Sequence, residues 1–233
     1  MKKLILFVLI SFLNISVWAQ GFNWGLNVAP GISYRIGQTH DITDYAQSVQ
    51  IGEEPMYVFD FGMDMRKSIT KRLSIGTGIF YSQKGFSNTH VAAAYDDPHL
   101  SRRYILDFVQ NYLEVPFYFT YSVYQNEQFE FYPMLGINNS MLLSEKNSIS
   151  TTSGEISEET MKTLSKPYLS SAKLHNLGVL GGVGIMGAVD SKTAIGLEAI
   201  GKVMLTPLED HFTATRRYLY SFNLNFKFVR KIR

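Results

Sequence analysis

From Phe22 onward the chain alternates, residue by residue, between large apolar side chains and small or polar ones. A period of two is the repeat of a β-strand, whose successive side chains point to opposite faces. In 22–36, Phe22, Trp24, Leu26, Val28, Ile32, Tyr34 and Ile36 share one face against Asn23, Asn27, Ala29, Ser33 and Arg35. In 57–66, Tyr57, Phe59, Phe61, Met63 and Met65 oppose Asp60, Gly62, Asp64 and Arg66. The pattern returns in 73–84 and 113–121, less cleanly in 129–143, 174–189 and 193–205, and most sharply in 218–228. There Tyr218, Tyr220, Phe222, Leu224, Phe226 and Phe228 oppose Ser221, Asn223, Asn225 and Lys227. Eight strands result, most of them longer than the roughly 9–11 residues a tilted membrane strand requires.

The connections alternate in length. Ser68–Arg72, Gln125–Gln128 and Asp190–Lys192 are short, whereas 37–55, 86–104, 145–172 and 206–216 are long. Short periplasmic turns alternating with long outer loops mark outer-membrane barrels, and an even strand number brings both ends to the periplasmic side. Residues 1–19 read as a cleaved signal peptide. Lys2 and Lys3 precede an apolar run over Leu4–Leu13, and Val17 and Ala19 suit cleavage before Gln20. That run is too short for a spanning helix, which needs roughly 20 apolar residues. With no Cys in the chain, disulfides, thiolate metal sites and a lipoprotein anchor are excluded. Two of the 22 basic residues lie in the signal, so the remainder balances the 20 acidic ones and nothing points to nucleic acid.

The expected architecture is therefore all-β: an eight-stranded antiparallel up-and-down transmembrane barrel at 20–233, in the outer membrane. A soluble sandwich or lipocalin-like barrel also alternates, but places its large residues inward. Here the polar face is small and carries both signs of charge, which reads as the lumen: Arg35, Asp60, Asp64, Arg66, Lys84, Glu114, Glu198, Lys202 and Lys227. An eight-stranded barrel is just wide enough for side chains to fill it, and charges buried there must be paired.

Three stretches carry a family resemblance: LSIGTGIFYSQKG at 73–85, NYLEVPFYFTY at 111–121 and NLGVLGGVGI at 176–185. They resemble the PorT-like outer-membrane β-barrel family of Bacteroidota-type bacteria and, more distantly, the OmpA/OmpX-type small barrels. The resemblance implies a generic membrane barrel and, through the family's name, an accessory role in protein secretion. It also implies recognition of a terminal aromatic by the barrel-assembly machinery. Phe228 supplies one, although five residues follow it.

Catalytic, metal and cofactor sites are not expected. Glu114 is read as an ion-pair acceptor rather than a catalytic carboxylate, and Pro116 as marking an edge or bulge. Asp96, Asp97 and His99, with Asp210 and His211, are the one loop arrangement compatible with a hydrolase or acyltransferase, but no nucleophile in a defining context accompanies them. His40, His90, His99 and His211 lack paired ligand spacing. The acidic first loop, with Asp41, Asp44, Glu53 and Glu54, reads as solvated charge. The function expected is structural or surface-binding through the outer loops, with lipid and an envelope or extracellular protein as partners. A small-solute porin is the alternative.

Overall fold

The computed structural model describes residues 22–36, 48–93, 101–151, 174–206 and 218–231. The predicted signal peptide and most of the predicted outer loops lie outside them. In chain order the strands are β1 (Phe22–Ile36), β2 (Ser48–Glu54), β3 (Met56–Ser68), β4 (Leu73–Ala93) and β5 (Ser101–Tyr121). They continue with β6 (Tyr124–Gln125), β7 (Phe129–Thr151), β8 (His175–Ala188), β9 (Thr193–Met204) and β10 (Tyr218–Lys231).

Eight of these form a closed antiparallel ring, β1-β3-β4-β5-β7-β8-β9-β10, in which β10 returns to β1. The closing seam runs from Asn23↔Lys231 to Ile36↔Tyr218. The other two are accessory: β2 continues the line of β3 across Pro55 onto the far part of β4, and β6 is a two-residue pairing with β7. The eight-stranded architecture is the one the alternation implies.

The three short turns are each tied by one side-chain oxygen. Thr70 Oγ1 accepts the N–H groups of Arg72 and Leu73 at 3.2 and 2.9 Å. Asn126 Oδ1 accepts those of Gln128 and Phe129 at 2.9 and 2.6 Å. Asp190 Oδ1 accepts those of Lys192 and Thr193 at 2.6 and 2.8 Å. Such local bonds substitute for the missing ladder and set the register of the following strand. At Asp190 they also hold the carboxyl below the usual carboxylate range, the Lys192 N–H most of all.

Two readings change. The strands run into stretches read as loops: β4 reaches Ala93, β5 starts at Ser101 and β7 ends at Thr151, so Glu53 and His90 stand on paired strands. Pro116 sits at neither an edge nor a bulge. It lies in β5 with strands on both sides, paired with Asn138 on β7. Its missing N–H shows as a gap in the β4–β5 ladder between Thr77↔Phe117 and Phe80↔Glu114, with no register change. The Thr77 hydroxyl donates to the Pro116 carbonyl at 2.8 Å instead.

The two faces are inverted relative to a soluble barrel. Leu135 is 69% and Ile79 62% exposed on the outside, while Lys84 and Glu114 are 2% and 1% exposed within. An apolar outer face of this extent is stable against hydrocarbon and unstable against water.

Glycines make room for what lies inside. A Cβ at Gly76 would fall 2.3 Å from the Tyr118 ring, and one at Gly184 2.6 Å from the Tyr132 ring. Each glycine is the ladder partner of its tyrosine, so each ring lies over the neighbouring strand and reaches an acid on the strand beyond, Asp64 or Glu198. On the outer face Gly181 meets nothing nearer than 3.8 Å. Gly184→Ala is therefore expected to destabilise the barrel by about 1–3 kcal/mol through overpacking, whereas Gly181→Ala leaves it unchanged within ~0.5 kcal/mol. Urea unfolding in lipid vesicles measures both, and equal effects would contradict this assignment of the faces.

Candidate functional site: an ionic lumen

All nine charged residues read as lumen-facing point inward. Eight are buried, and Lys202 is nearly so, with 11% of its side chain exposed. They do not form one network. Midway along the barrel, Glu114 on β5 accepts bonds from Lys84 on β4 and from Lys202 on β9, the latter at 2.7 Å. Lys202 also reaches Asp60 on β3 at 2.6 Å, and Asp60 accepts the Ser82 hydroxyl at 2.7 Å. Four strands are thus joined through one carboxylate and one ammonium.

Nearer the short turns a second cluster centres on Lys227 of β10, which lies 2.5 Å from Asp64 and 3.3 Å from Glu198. The remaining acceptor capacity of the two acids is filled by neutral donors. Asp64 takes the Tyr118 hydroxyl and, at 2.9 Å, the Asn27 amide. Glu198 takes the Tyr132 hydroxyl and the Asn225 amide, both at 2.6 Å. Asn225 also donates to Asn27 at 2.9 Å, which links the two acids across the closing seam. Breaking a buried pair is costly because the partner's charge is left uncompensated, and here each acid has several donors.

Arg66 and Arg35 lie nearer the two ends of the lumen. At the turn end Arg66 pairs with Glu130 at 2.9 Å and lies over the Tyr132 ring, 4.8 Å from its centre. Glu130 also accepts the Ser122 hydroxyl at 2.5 Å. Arg35, toward the other end, stacks 3.9 Å from the centre of the Phe86 ring.

Glu130 belongs to this site and escaped the sequence reading. The signal was present, since alternation from Phe129 and Phe131 places Glu130 and Tyr132 together on the inner face. Alternation in 112–121 places Tyr112 and Tyr118 on the inner face with Glu114, whereas the rest of the apolar lining escaped. Tyr118, Tyr132, Met134, Leu180, Met186, Ala194 and Val229 form one inner cluster. Phe86, Phe108, Tyr112, Met204 and Leu219 form another toward the far end.

Between the two ionic clusters a cavity of about 50 Å³ remains, lined by all four of their acids together with Asn223, Asn225, Met134 and Leu180. The Oδ1 atoms of Asn223 and Asn225 have no partner. At roughly 10–15 Å³ per molecule the space suits a few waters, and no larger solute. A wider vestibule of about 240 Å³ opens at the turn end, with Arg66 and Glu130 among its lining residues.

The loop candidates Asp96, Asp97, His99, Asp210 and His211, with His40, Asp41 and Asp44, lie outside the described residues. Among the described residues no three acidic or histidine side chains gather in a way that would hold a metal ion.

Because Glu114 serves two lysines, Glu114→Gln is expected to cost on the order of 3–5 kcal/mol. Adding Lys84→Met should recover much of that loss by removing one stranded charge. Urea unfolding and the gel shift on boiling read the outcome, and an unchanged midpoint in Glu114→Gln would show that the cluster contributes no stability.

Several solved outer-membrane proteins are similar in fold to this chain. OprG from Pseudomonas aeruginosa is 10% identical with a TM-score of 0.42, over 92% of this chain and 98% of that one. Neisserial surface protein A is 11% identical with a TM-score of 0.41, over 91% and 100%. The outer membrane protease OmpT from Escherichia coli is 8% identical with a TM-score of 0.41, over 92% and 97%. No curated protein matches the chain. The family model described as outer membrane protein beta-barrel domain matches residues 18–227. With that match spanning nearly the whole sequence, and with a closed eight-stranded ring facing its apolar side outward, the chain belongs to the outer membrane protein β-barrel domain family.

Proposed function

We propose that this protein is a non-conducting outer-membrane barrel that acts at the cell surface through a raised sheet on one side of its mouth. The observation that carries the reading is the unequal height of the strands. On one side β4, β5 and β7 have 21, 21 and 23 residues. On the other, β8, β9 and β10 have 14, 12 and 14. Pairing between β5 and β7 continues to Tyr104↔Thr151, and β2 lines the far part of β4. A membrane strand needs only about 9–11 residues. The surplus stands clear of lipid as a four-stranded wall, with the polar run Ser144, Glu145, Lys146, Asn147 and Ser148 on β7.

In this reading the wall and the connections above it meet an extracellular or envelope protein, and the short turns with both chain ends face the periplasm. The motifs at 73–85, 111–121 and 176–185 support a PorT-like subfamily. β10, with Phe226 and Phe228 on its outer face, is the strand offered to the barrel-assembly machinery. The ionic lumen supports a structural role in place of a solute path, and among the described residues no side-chain arrangement favours catalysis.

Two measurements test this. In planar bilayers the refolded barrel should show no single-channel conductance, and regular ohmic steps would return the porin reading. Because the chain has no cysteine, single substitutions report topology. Ser150→Cys, on the wall, should react with a membrane-impermeant maleimide on intact cells, and Ser191→Cys only after the outer membrane is opened. The reverse pattern would invert the proposed orientation.

A further inference from the structure

At the turn end the outer face carries a compact patch in which two aromatic rings sit between basic side chains. β1 begins there with Phe22 and Trp24. Phe22 stands opposite Lys67 at the end of β3, whose ammonium lies 5.1 Å from the ring centre. Trp24 stands opposite Arg230 on β10, and Arg230 in turn pairs with Thr193, next to Lys192. Directly paired residues of antiparallel strands point to the same side. The patch therefore continues the exposed apolar face that includes Met65 and Phe228. Both rings are half-buried, and Arg230 and Lys192 are exposed. Asp190, in the same turn as Lys192, accepts the N–H groups of Lys192 and Thr193 and also interacts electrostatically with Arg230.

We propose that this seam of β3, β1 and β10 is a binding site for the headgroup of an anionic phospholipid. Tryptophan and other amphipathic rings settle where hydrocarbon meets headgroup, which fixes the depth of the patch. Lys67, Arg230 and Lys192 then lie at the level of the phosphates. The guanidinium of Arg230 matches a phosphate with two parallel donors, and the lysines act as point charges beside it. A net-negative lipid is favoured over a zwitterionic one because the latter's own ammonium already offsets its phosphate. Lys71 and Lys231, at the same end, line the vestibule and belong to the interior. Arg66 lines the vestibule with them, whereas Lys67 and Arg230 stand on the outer face, which adjoins lipid.

The inference deepens the orientation proposed above, which puts this end in the phospholipid leaflet facing the periplasm. Its test uses symmetric vesicles, where the seam meets phospholipid whichever way the barrel inserts, so a failure here leaves the orientation to the maleimide experiment.

The chain's two tryptophans are Trp18 and Trp24, so a Trp18→Phe chain reports fluorescence from the seam alone. It is refolded into phosphatidylcholine vesicles containing equal mole fractions of tail-brominated phosphatidylglycerol or tail-brominated phosphatidylcholine. Brominated phosphatidylglycerol should quench Trp24 more strongly, corresponding to a local enrichment of about fivefold at low salt. The preference should decline as sodium chloride screens the charges. Lys67→Gln with Arg230→Gln should abolish it. Lys71→Gln with Lys231→Gln removes the same charge from the vestibule side and should leave it intact. Equal quenching by the two lipids, retention in the outer pair, or equal loss in the inner pair would each overturn the site.

Discussion

The pairing of β1 with β10 is the interaction on which the rest depends. Hydrocarbon offers no hydrogen bonds, so a spanning sheet with a free edge would leave a row of N–H and C=O groups unsatisfied at several kcal/mol each. Closure removes both edges at once, from Asn23↔Lys231 to Ile36↔Tyr218. It joins the first strand to the last, so none of the ring is sealed until the final strand is in place. The apolar outer face follows from the same requirement. Residues such as Leu26, Val28, Phe226 and Phe228 lie on the two seam strands and are exposed, which is favourable only with lipid against them.

Closing at eight strands then dictates the interior. The bore admits side chains and little else, so the inward half of every alternating strand must pack against the inward half of the others. Had those positions all been apolar, the strands would have lost the two-faced pattern that sets their register. Polar residues keep the register but must be satisfied by one another and by the few waters the cavity admits. The solution here is multidentate: Glu114 with two lysines, Lys202 with two acids, and Lys227 with two acids. A single-residue slip of any participating strand would carry a charge to the lipid face, so the network enforces the register that closure needs.

Strand existence and face were legible because period two is a local property, written in every second residue. The interior location of Arg35, Asp60, Asp64, Arg66, Lys84, Glu114, Glu198, Lys202 and Lys227 could be read for the same reason. Which charge meets which could not, because partners lie on strands far apart in sequence, as with Lys202 and Asp60, and pairing depends on the stagger of the closed ring. Glu130 was lost among aromatics whose alternation was less clean. Strand ends were the least legible. Polar residues such as Ser87, Asn88 and Ser148 read as loop, yet they pair because a neighbouring strand is already aligned beside them.

The ends of β4, β5 and β7 separate the two requirements that a membrane strand usually meets together. Within lipid a residue must both pair and present an apolar side chain outward; beyond it pairing alone suffices. On β7 the change falls at Leu143, after which the sequence turns to Ser, Glu, Lys and Asn while pairing with β5 continues. β8 leaves β7 at the same level, its ladder ending at Met141↔His175. From there on β7 has β5 as its one strand neighbour among the described residues. A wet edge of this kind invites strand addition unless charge and solvation discourage it, and the exposed Lys146 supplies both. The wall is therefore built to stand in water while the ring beneath it is built to stand in lipid. One continuous set of hydrogen-bonded strands, β4, β5 and β7, carries both.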